Sequence, residues 1–231
     1  MNAAHSSGAV GSSFDERGVA ACQVPPYTLA VAANAPVLRL AAIEEAEQID
    51  ALMKASIRDL FPLFYDAAQT EASIRYVADV DRTLIEDGTY FVIEADDELV
   101  ACGGWSRRDK LYTGSGATAG DARLLDPARE PARVRAMFVR PDWTRRGLGT
   151  RILEACEAAA QAEGFRILAL MSTLPGKPLY ERFGFRITDD AVDIPLPNGL
   201  TIGGAAMEKP IPDRHPPESA RGHPLRGGLP T

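Results

Sequence analysis

The chain has 231 residues, of which 45% are hydrophobic and 25% are charged, and its formal net charge is −7. These proportions are typical of a folded globular protein with one sizeable core. The acidic balance argues against binding to nucleic acid through a broad basic surface, and no apolar run is long enough to span a membrane. We therefore expect neither a nucleic-acid partner nor a membrane partner.

Histidine and cysteine are too scarce for several classes of site. The three histidines, His5, His215 and His223, lie near the chain ends. Their positions argue against serine–histidine and cysteine–histidine hydrolases and against most zinc enzymes. The three cysteines are too scattered for a disulfide framework or a metal cluster. We therefore expect a cytoplasmic protein without a metal cofactor.

Both ends of the chain have the composition of tails. Residues 1–33 are small and polar without periodicity, and residues 212–231 carry prolines among glycines and charges. Such composition favours disorder because it cannot bury enough apolar surface. The folded domain is predicted to span residues 36–211, an ordinary size for one domain.

Within that span the hydrophobic pattern predicts alternating strands and helices. Thr70 is the expected N-cap of a second helix, and Asp96-Asp97-Glu98 separates two β-rich runs as in a hairpin. The predicted elements are a strand at 37–40, helices at 43–57 and 70–85, strands at 89–95, 99–106 and 133–139, a helix at 147–163, a strand at 166–171, a helix at 178–182, and strands at 185–187 and 205–209. This order, β-α-α-β-β-β-α-β-α-β-β, predicts a single α/β domain of the α+β kind, with a mixed sheet and helices on its faces.

A glycine-bearing turn joins the strand that ends at Val139 to the next helix. It reads Arg145-Arg146-Gly147-Leu148-Gly149-Thr150. Glycines allow a close backbone approach, the free N–H groups at a helix start attract anions, and two arginines suit a diphosphate. A tight turn beside two solvated arginines explains the same residues, so the turn alone leaves both interpretations open.

Two nucleotide sites fit this turn poorly. A dinucleotide site needs a third glycine where Ile152 stands, and an acidic residue where Met171-Ser172-Thr173 stands. A P-loop needs a Gly-Lys-Ser/Thr sequence that the turn lacks.

A second motif, Tyr180-Glu181-Arg182-Phe183-Gly184-Phe185, follows the strand at 166–171. Together with the glycine turn it resembles the two diagnostic segments of the GNAT superfamily of N-acyltransferases, the R/Q-x-x-G-x-G/A loop and the later Tyr-x-x-x-Gly-Phe segment. The predicted element order also fits, and the resemblance covers nearly all of residues 36–209. Its departure from the pattern is Thr144, which stands where Arg or Gln is usual.

The resemblance implies an N-acetyltransferase that uses acetyl-CoA as co-substrate. The acceptor would be a primary amine of a small molecule or peptide, attacking directly in a ternary complex, and the resemblance allows a homodimer. Tyr180 would protonate the departing thiolate, a role that suits a phenol beside a thiol of pKa about 8.5; a packed aromatic is the alternative. The backbone groups of Met137, Phe138 and Val139 would form hydrogen bonds with the pantetheine arm. The pyrophosphate would be held by Arg145, Arg146, Gly147, Leu148, Gly149 and Thr150.

The general base and the acceptor site have weaker signals. Many relatives carry a carboxylate where this chain reads Arg135-Ala136-Met137. The proton must therefore pass to another residue, such as Asp81 or Glu94, or to a water chain, or the acceptor must arrive neutral. The residues that could face an acceptor are Trp105, Arg107, Arg135 and Phe64, and core packing or surface ion pairs compete as explanations for each.

Two alternatives of a different class remain open from the sequence. The missing carboxylate motivates a non-catalytic acyl-CoA sensor, and a regulatory partner of antitoxin type, bound through its tails, is a weaker third reading. Cys102 and Cys156 have the character of small buried hydrophobes rather than nucleophiles. Direct transfer without an acyl-enzyme is accordingly the expected mechanism.

Overall fold

A seven-stranded mixed sheet organises the fold, in the order β1-β2-β3-β4-β5-β7-β6. The computed structural model describes residues 35–109 and 123–212. The strands are β1 Val37–Leu40, β2 Tyr90–Ala95, β3 Glu98–Ser106, β4 Ala132–Val139, β5 Ile167–Thr173, β6 Arg186–Pro195 and β7 Thr201–Pro210. The β4–β5 pair is parallel, and the other neighbours are antiparallel. The predicted mixed sheet is confirmed, whereas residues 1–33 and 213–231 of the predicted tails, and residues 110–122 between two predicted strands, lie outside the described residues.

Five helices accompany the sheet in the described part of the chain. They are α1 Ala46–Leu60, α2 Ala67–Tyr76, α3 Arg82–Glu86, α4 Leu148–Ala162 and α5 Lys177–Phe183. Short 3₁₀ turns precede and follow α1, at Ile43–Glu45 and Phe61–Leu63. The turn between β2 and β3 places Asp96 and Asp97 in the left-handed region, with φ of 51° and 61°. That conformation at both central residues is typical of a tight hairpin turn.

The prediction of one helix from a Thr70 cap to Ile85 was wrong. Asp66 caps α2 instead, because its carboxylate accepts a hydrogen bond of 2.7 Å from the Gln69 N–H and the Gln69 side chain bonds back to the Asp66 N–H. The helix ends at Tyr76, and α3 starts anew after Asp81, whose carboxylate accepts from the Thr83 N–H at 3.2 Å. The N-caps at Asp66 and Asp81 thus divide into two helices the segment that apolar spacing predicted as one.

The last two strands are longer than their short apolar runs predicted. Both β6 and β7 contain 10 residues, because they form a hairpin whose ladder continues past the apolar positions. The Leu196 N–H donates to the Leu200 carbonyl at 2.8 Å and closes the turn. Backbone pairing across the hairpin therefore extends strands that side-chain periodicity ends early.

Two hydrophobic cores lie on opposite faces of the sheet. Successive residues of β2 alternate between them, with Val92 in one and Ile93 in the other, as expected for a strand. The α4-side core contains Ile152 and Cys156 of α4, and the α1-side core contains Ile49 and further apolar residues of α1. Each face of the sheet is therefore covered by a helix, and a site that reaches both cores must pass through the sheet.

Candidate active site

The sheet is open between β4 and β5. Their pairing covers only Ala132 with Leu168 and Arg133 with Ala169. Among the described residues, the ladder between β4 and β5 does not continue past Arg133, so the part of β4 around Met137, Phe138 and Val139 can offer backbone groups to another molecule. The parallel pair thus ends early and leaves a gap in the middle of the sheet.

A bulge in β4 bends the strand at this gap. Ala136 has φ of 51°, and the β3–β4 register shifts between Cys102 and Gly104. A Cβ on Gly103 would overlap the Met137 sulfur and lie 3.2 Å from its Cα. Glycine at 103 is therefore what allows the bulged residues of β4 to approach β3.

Tyr90 on β2 holds the bulge from the α1 side. Its hydroxyl donates a hydrogen bond of 3.0 Å to the Ala136 carbonyl. Tyr90 is 3% exposed, and burial raises the pKa of its phenol well above the ordinary value. The hydroxyl consequently stays protonated and remains a donor over the whole working pH range.

A cavity of about 660 Å³ occupies the gap, a size usual for small-molecule sites. Its lining includes members of both cores, Leu148 and Tyr180 from the α4 side and Phe138 and Met171 from the α1 side. The cavity therefore crosses the sheet. Its α1-side part, called here the apolar chamber, is lined by Leu60, Phe61, Val77, Ile194, Leu196 and Ile202.

The start of α4 lines one part of the cavity. Gly147 precedes the helix with φ of 78°, without a side-chain cap, and Arg145 also has a left-handed φ, of 64°. The first bond within the helix runs from the Arg151 N–H to the Gly147 carbonyl at 3.1 Å. The N–H groups of Leu148, Gly149 and Thr150 precede that bond, and such groups together with the helix dipole attract an anion.

The residues predicted to bind the co-substrate almost all line the cavity. Arg146 is the exception, because its guanidinium lies 4.4 Å from the Trp143 ring centre and donates to the Asp142 carbonyl at 3.1 Å. Gly149 has a role that the sequence did not indicate, since a Cβ there would lie 2.8 Å from Leu179 Cδ2. The predicted residues in the lining are Met137, Phe138, Val139, Arg145, Gly147, Leu148, Gly149, Thr150 and Tyr180.

Tyr180 lies on α5 in the α4-side wall of the cavity. It is 8% exposed, and its ring packs edge-on against Phe185 with 5.8 Å between centres. A Cβ on Gly176 would lie 2.9 Å from Tyr180 Cε2, so glycine at 176 makes room for the ring. Burial raises the pKa of the Tyr180 phenol, which keeps the proton on its oxygen at neutral pH.

Tyr65 ties the loop before α5 to β7. Its hydroxyl donates to the Gly203 carbonyl at 2.7 Å and accepts from the Leu174 N–H at 2.8 Å. Its ring packs on Phe61, with 5.2 Å between ring centres. The sequence did not indicate this bridge, because both partners of the Tyr65 hydroxyl lie more than a hundred residues away along the chain.

The four predicted acceptor residues do not come together. Arg135 lines the cavity and forms a buried ion pair of 2.8 Å with Asp81. Trp105 is 1% exposed in the α4-side core, and Arg107 pairs with Glu163 at 2.8 Å. Phe64 is 46% exposed and, like Trp105 and Arg107, is absent from the described lining. Core packing and ion pairing, the competing explanations, account for where Trp105 and Arg107 lie.

The two carboxylates considered as general bases are both paired with arginines. Glu94 accepts from Arg39 at 2.5 Å, and Asp81 pairs with Arg135. Among the described residues, no group of three His, Cys, Asp or Glu side chains could hold a metal ion. No described helix is long and apolar enough to cross a membrane.

Comparison with known proteins identifies the family of this chain. A model of the acetyltransferase (GNAT) domain matches residues 86–187. An uncharacterised N-acetyltransferase from the hisH–hisA intergenic region of Azospirillum brasilense is 32% identical over 131 residues, covering 54% of this chain and 72% of that relative.

Solved structures show the same fold at low sequence identity. A GCN5-related N-acetyltransferase from Rhodopseudomonas palustris has a TM-score of 0.58 at 20% identity, covering 77% of this chain and 97% of that structure. The PaiA N-acetyltransferase from Thermoplasma acidophilum, in complex with coenzyme A, has a TM-score of 0.56 at 16% identity, covering 76% and 99%. The resemblance that the two motifs indicated is confirmed. This chain belongs to the GNAT superfamily and is an acyl-CoA-dependent N-acetyltransferase.

Proposed function

We propose that the enzyme transfers the acetyl group of acetyl-CoA to a primary amine by direct attack within a ternary complex. The observation that supports this is the single cavity that joins the start of α4 to the apolar chamber through the open sheet. A donor and an acceptor can enter such a cavity from opposite faces and meet in the middle. The structural likeness to a coenzyme A complex supports the choice of donor.

The residues of the α4 side fit acetyl-CoA. The exposed Arg145 and the N–H groups of Leu148, Gly149 and Thr150 would hold the pyrophosphate. The free edge of β4 around Met137, Phe138 and Val139 would bond the pantetheine amides. Arg146 would contribute through its backbone, since its side chain is engaged by Trp143.

Tyr180 would act as the general acid. In the reaction the acceptor nitrogen bonds to the thioester carbonyl carbon, the carbon–sulfur bond breaks, and the sulfur takes a proton as the nitrogen loses one. Tyr180 can give its proton to the thiolate and regain one from the new amide nitrogen, so the exchange balances. Burial keeps the proton on its phenol at neutral pH, so the proton is present when the thiolate leaves.

Direct attack is supported by the state of the two described cysteines. Cys102 and Cys156 are both fully buried, and burial raises the pKa of both thiols. Neither lines the cavity. A buried thiol in an apolar environment is a poor nucleophile, so neither cysteine is suited to carry an acetyl group.

Initial-rate kinetics on the full chain test the proposal. Thiol release from acetyl-CoA would be followed with L-phenylalaninamide, Nα-acetyl-L-lysinamide and spermidine as acceptors, and the products would be weighed by mass spectrometry. Direct attack predicts intersecting double-reciprocal lines and a product heavier by one acetyl group. Parallel lines with an acetylated protein would contradict direct attack, and absence of acetyl-CoA binding would contradict the function itself.

A further inference from the structure

The apolar chamber is a hydrocarbon pocket assembled from four separate segments. Leu60 and Phe61 end α1, Val77 follows α2, Ile194 and Leu196 flank the end of β6, and Ile202 lies on β7. Phe61, Ile194, Leu196 and Ile202 are each less than a tenth exposed. The nearby uncharged polar members of the lining are Ser56 and Tyr76. A group placed here exchanges water for aliphatic and aromatic carbon.

The buried charged side chains near the apolar chamber, Arg135 and Asp81, form an ion pair with each other. Arg135 and Asp81 pair at 2.8 Å with side chains 2% and 7% exposed. Of the two, Arg135 is the one in the cavity lining. No Asp or Glu is among the described residues that line the cavity. An alkylammonium in the chamber would therefore lose its water shell without gaining one of their carboxylates in exchange, and it would face the guanidinium of Arg135. The chamber therefore favours an uncharged amine.

We infer that the acceptor is a weakly basic primary amine attached to an apolar group, of the kind that the α-amino group of an apolar amino-acid amide or peptide represents. This inference rests on the proposed acetyl transfer. At pH 7.5, about a third of α-amino groups with pKa near 7.8 are neutral, against about one in a thousand lysine-type amines with pKa near 10.4. The neutral third of an acceptor of the first kind can enter the chamber without first losing a proton.

With such an acceptor, no carboxylate base is needed to deprotonate the amine before it attacks. A neutral amine uses its lone pair to form the carbon–nitrogen bond, and the carbon–sulfur bond breaks as the electrons move to sulfur. The nitrogen then releases one proton while the sulfur gains one. Asp81 can remain in its ion pair with Arg135 throughout, because no ammonium has to be deprotonated in the cavity.

Two matched comparisons test the inference with the full chain and acetyl-CoA at pH 7.5. L-Phenylalaninamide against Nα-acetyl-L-lysinamide compares a weakly basic amine with a strongly basic one, and kcat/KM should favour the first by about 100-fold. L-Phenylalaninamide against glycinamide compares the same amine with and without an apolar group. There kcat/KM should favour the first by about tenfold or more. Spermidine should be the poorest acceptor.

Two substitutions in the apolar chamber test whether its lining causes the preference among acceptor amines. Leu196→Ala should lower kcat/KM for L-phenylalaninamide about tenfold more than it lowers kcat/KM for glycinamide. Leu60→Glu places a carboxylate at a half-buried position and should shift the preference toward Nα-acetyl-L-lysinamide. Calorimetric titration with acetyl-CoA provides the folding control, because both variants should keep the wild-type affinity for the donor.

The outcomes separate this inference from the function on which it rests. Turnover that favours spermidine or Nα-acetyl-L-lysinamide would overturn the inference and leave acetyl transfer intact. Acetyl-CoA binding without turnover of either α-amine would also overturn it. Failure to bind acetyl-CoA would remove the proposed function as well. An equal fall in kcat/KM for glycinamide and L-phenylalaninamide in Leu196→Ala would show that the chamber does not select the apolar group, and it would overturn the inference.

Discussion

The hydroxyl of Tyr90 donates a hydrogen bond to the carbonyl of Ala136 across 3.0 Å. Tyr90 lies on β2 and Ala136 on β4, so the bond passes over β3, the strand that pairs with both. Ala136 has a left-handed φ of 51°, a conformation that costs a non-glycine residue about 1–2 kcal/mol. The bond thus fixes a strained bulge in the part of β4 whose edge is proposed to bind the co-substrate.

Replacing Tyr90 with Phe should therefore affect both stability and donor binding. The lost hydrogen bond is worth about 0.5–1.5 kcal/mol in unfolding free energy. The bulge would relax, so the Kd for acetyl-CoA should rise several-fold. Denaturant unfolding and calorimetric titration measure the two effects.

The matched control for that variant is Ile93→Val on the same strand. Ile93 is fully buried in the α4-side core, and its shortening costs about 0.5–1.5 kcal/mol without touching the Ala136 carbonyl. Its affinity for acetyl-CoA should equal that of the wild type. If the two variants lose stability equally and bind acetyl-CoA equally well, the Tyr90–Ala136 bond has no part in the site.

Arg145→Gly should separate stability from binding. Arg145 has φ of 64°, and glycine there would relieve about 1–2 kcal/mol of backbone strain against about 0.4–1 kcal/mol of added chain entropy. The variant should be slightly more stable than the wild type. Acetyl-CoA binding should weaken and become less sensitive to salt, because one arginine charge at the pyrophosphate is lost.

Arg146→Gly is the control for that experiment, since it removes the same charge one residue away. Arg146 does not have a positive φ, and its guanidinium packs on Trp143. This variant should lose stability and keep more of its acetyl-CoA affinity than Arg145→Gly. The reverse order of affinities would show that the wrong arginine has been assigned to the pyrophosphate.

Tyr180→Phe tests the general acid. We expect kcat to fall by about 10²-fold while the Kd for acetyl-CoA hardly changes, because the phenol assists the leaving thiolate rather than the binding of the donor. A non-catalytic sensor would show no turnover in either form. Phe185→Leu removes the ring that packs on Tyr180 but keeps the hydroxyl, so it should retain most of the activity. A full rate in Tyr180→Phe would exclude the acid role.

The alkaline pH dependence of stability should report on Cys102. Burial raises the pKa of its thiol from 9.0 to about 12. The unfolded chain releases this proton near pH 9 and the folded chain holds it, so unfolding releases a proton between these values. The free energy of unfolding should consequently fall with rising pH by about 1.4 kcal/mol per pH unit for this group.

Cys102→Ala provides the comparison for that slope. Denaturant unfolding under reducing conditions from pH 8 to 11 should give a shallower decline for the variant, whatever its stability at pH 8. Equal slopes would mean that the thiol ionises as readily in the folded chain as in the unfolded one.

Local sequence signals were sufficient to predict the turn at the start of α4 and the residues of it that line the cavity. Gly147 and Gly164 have left-handed φ values at the two ends of α4, where glycine adopts that conformation without strain, and most of the predicted turn residues line the cavity. Each of these features depends on neighbours a few residues away. The same locality explains why the hairpin turn at Asp96-Asp97 was predicted correctly.

Other features depend on partners that the sequence does not place nearby. Tyr90 meets Ala136, and Tyr65 meets Gly203, only after the sheet has formed. Trp105 was among the residues that could face an acceptor, but β3 carries it into the α4-side core. Apolar spacing gave no sign that the β6–β7 hairpin would supply Ile194, Leu196 and Ile202 to the cavity.

Calorimetric titration of the full chain with acetyl-CoA, with ATP and NAD as comparators, tests the central claim most directly. The proposed site predicts a Kd of about 1–100 μM, or roughly −8 to −5.5 kcal/mol, with no binding of ATP or NAD. Arg145→Gly should weaken that affinity. No binding of any CoA species, or equal binding of ATP and NAD, would contradict the assignment of the cavity to an acetyl-CoA-dependent transfer.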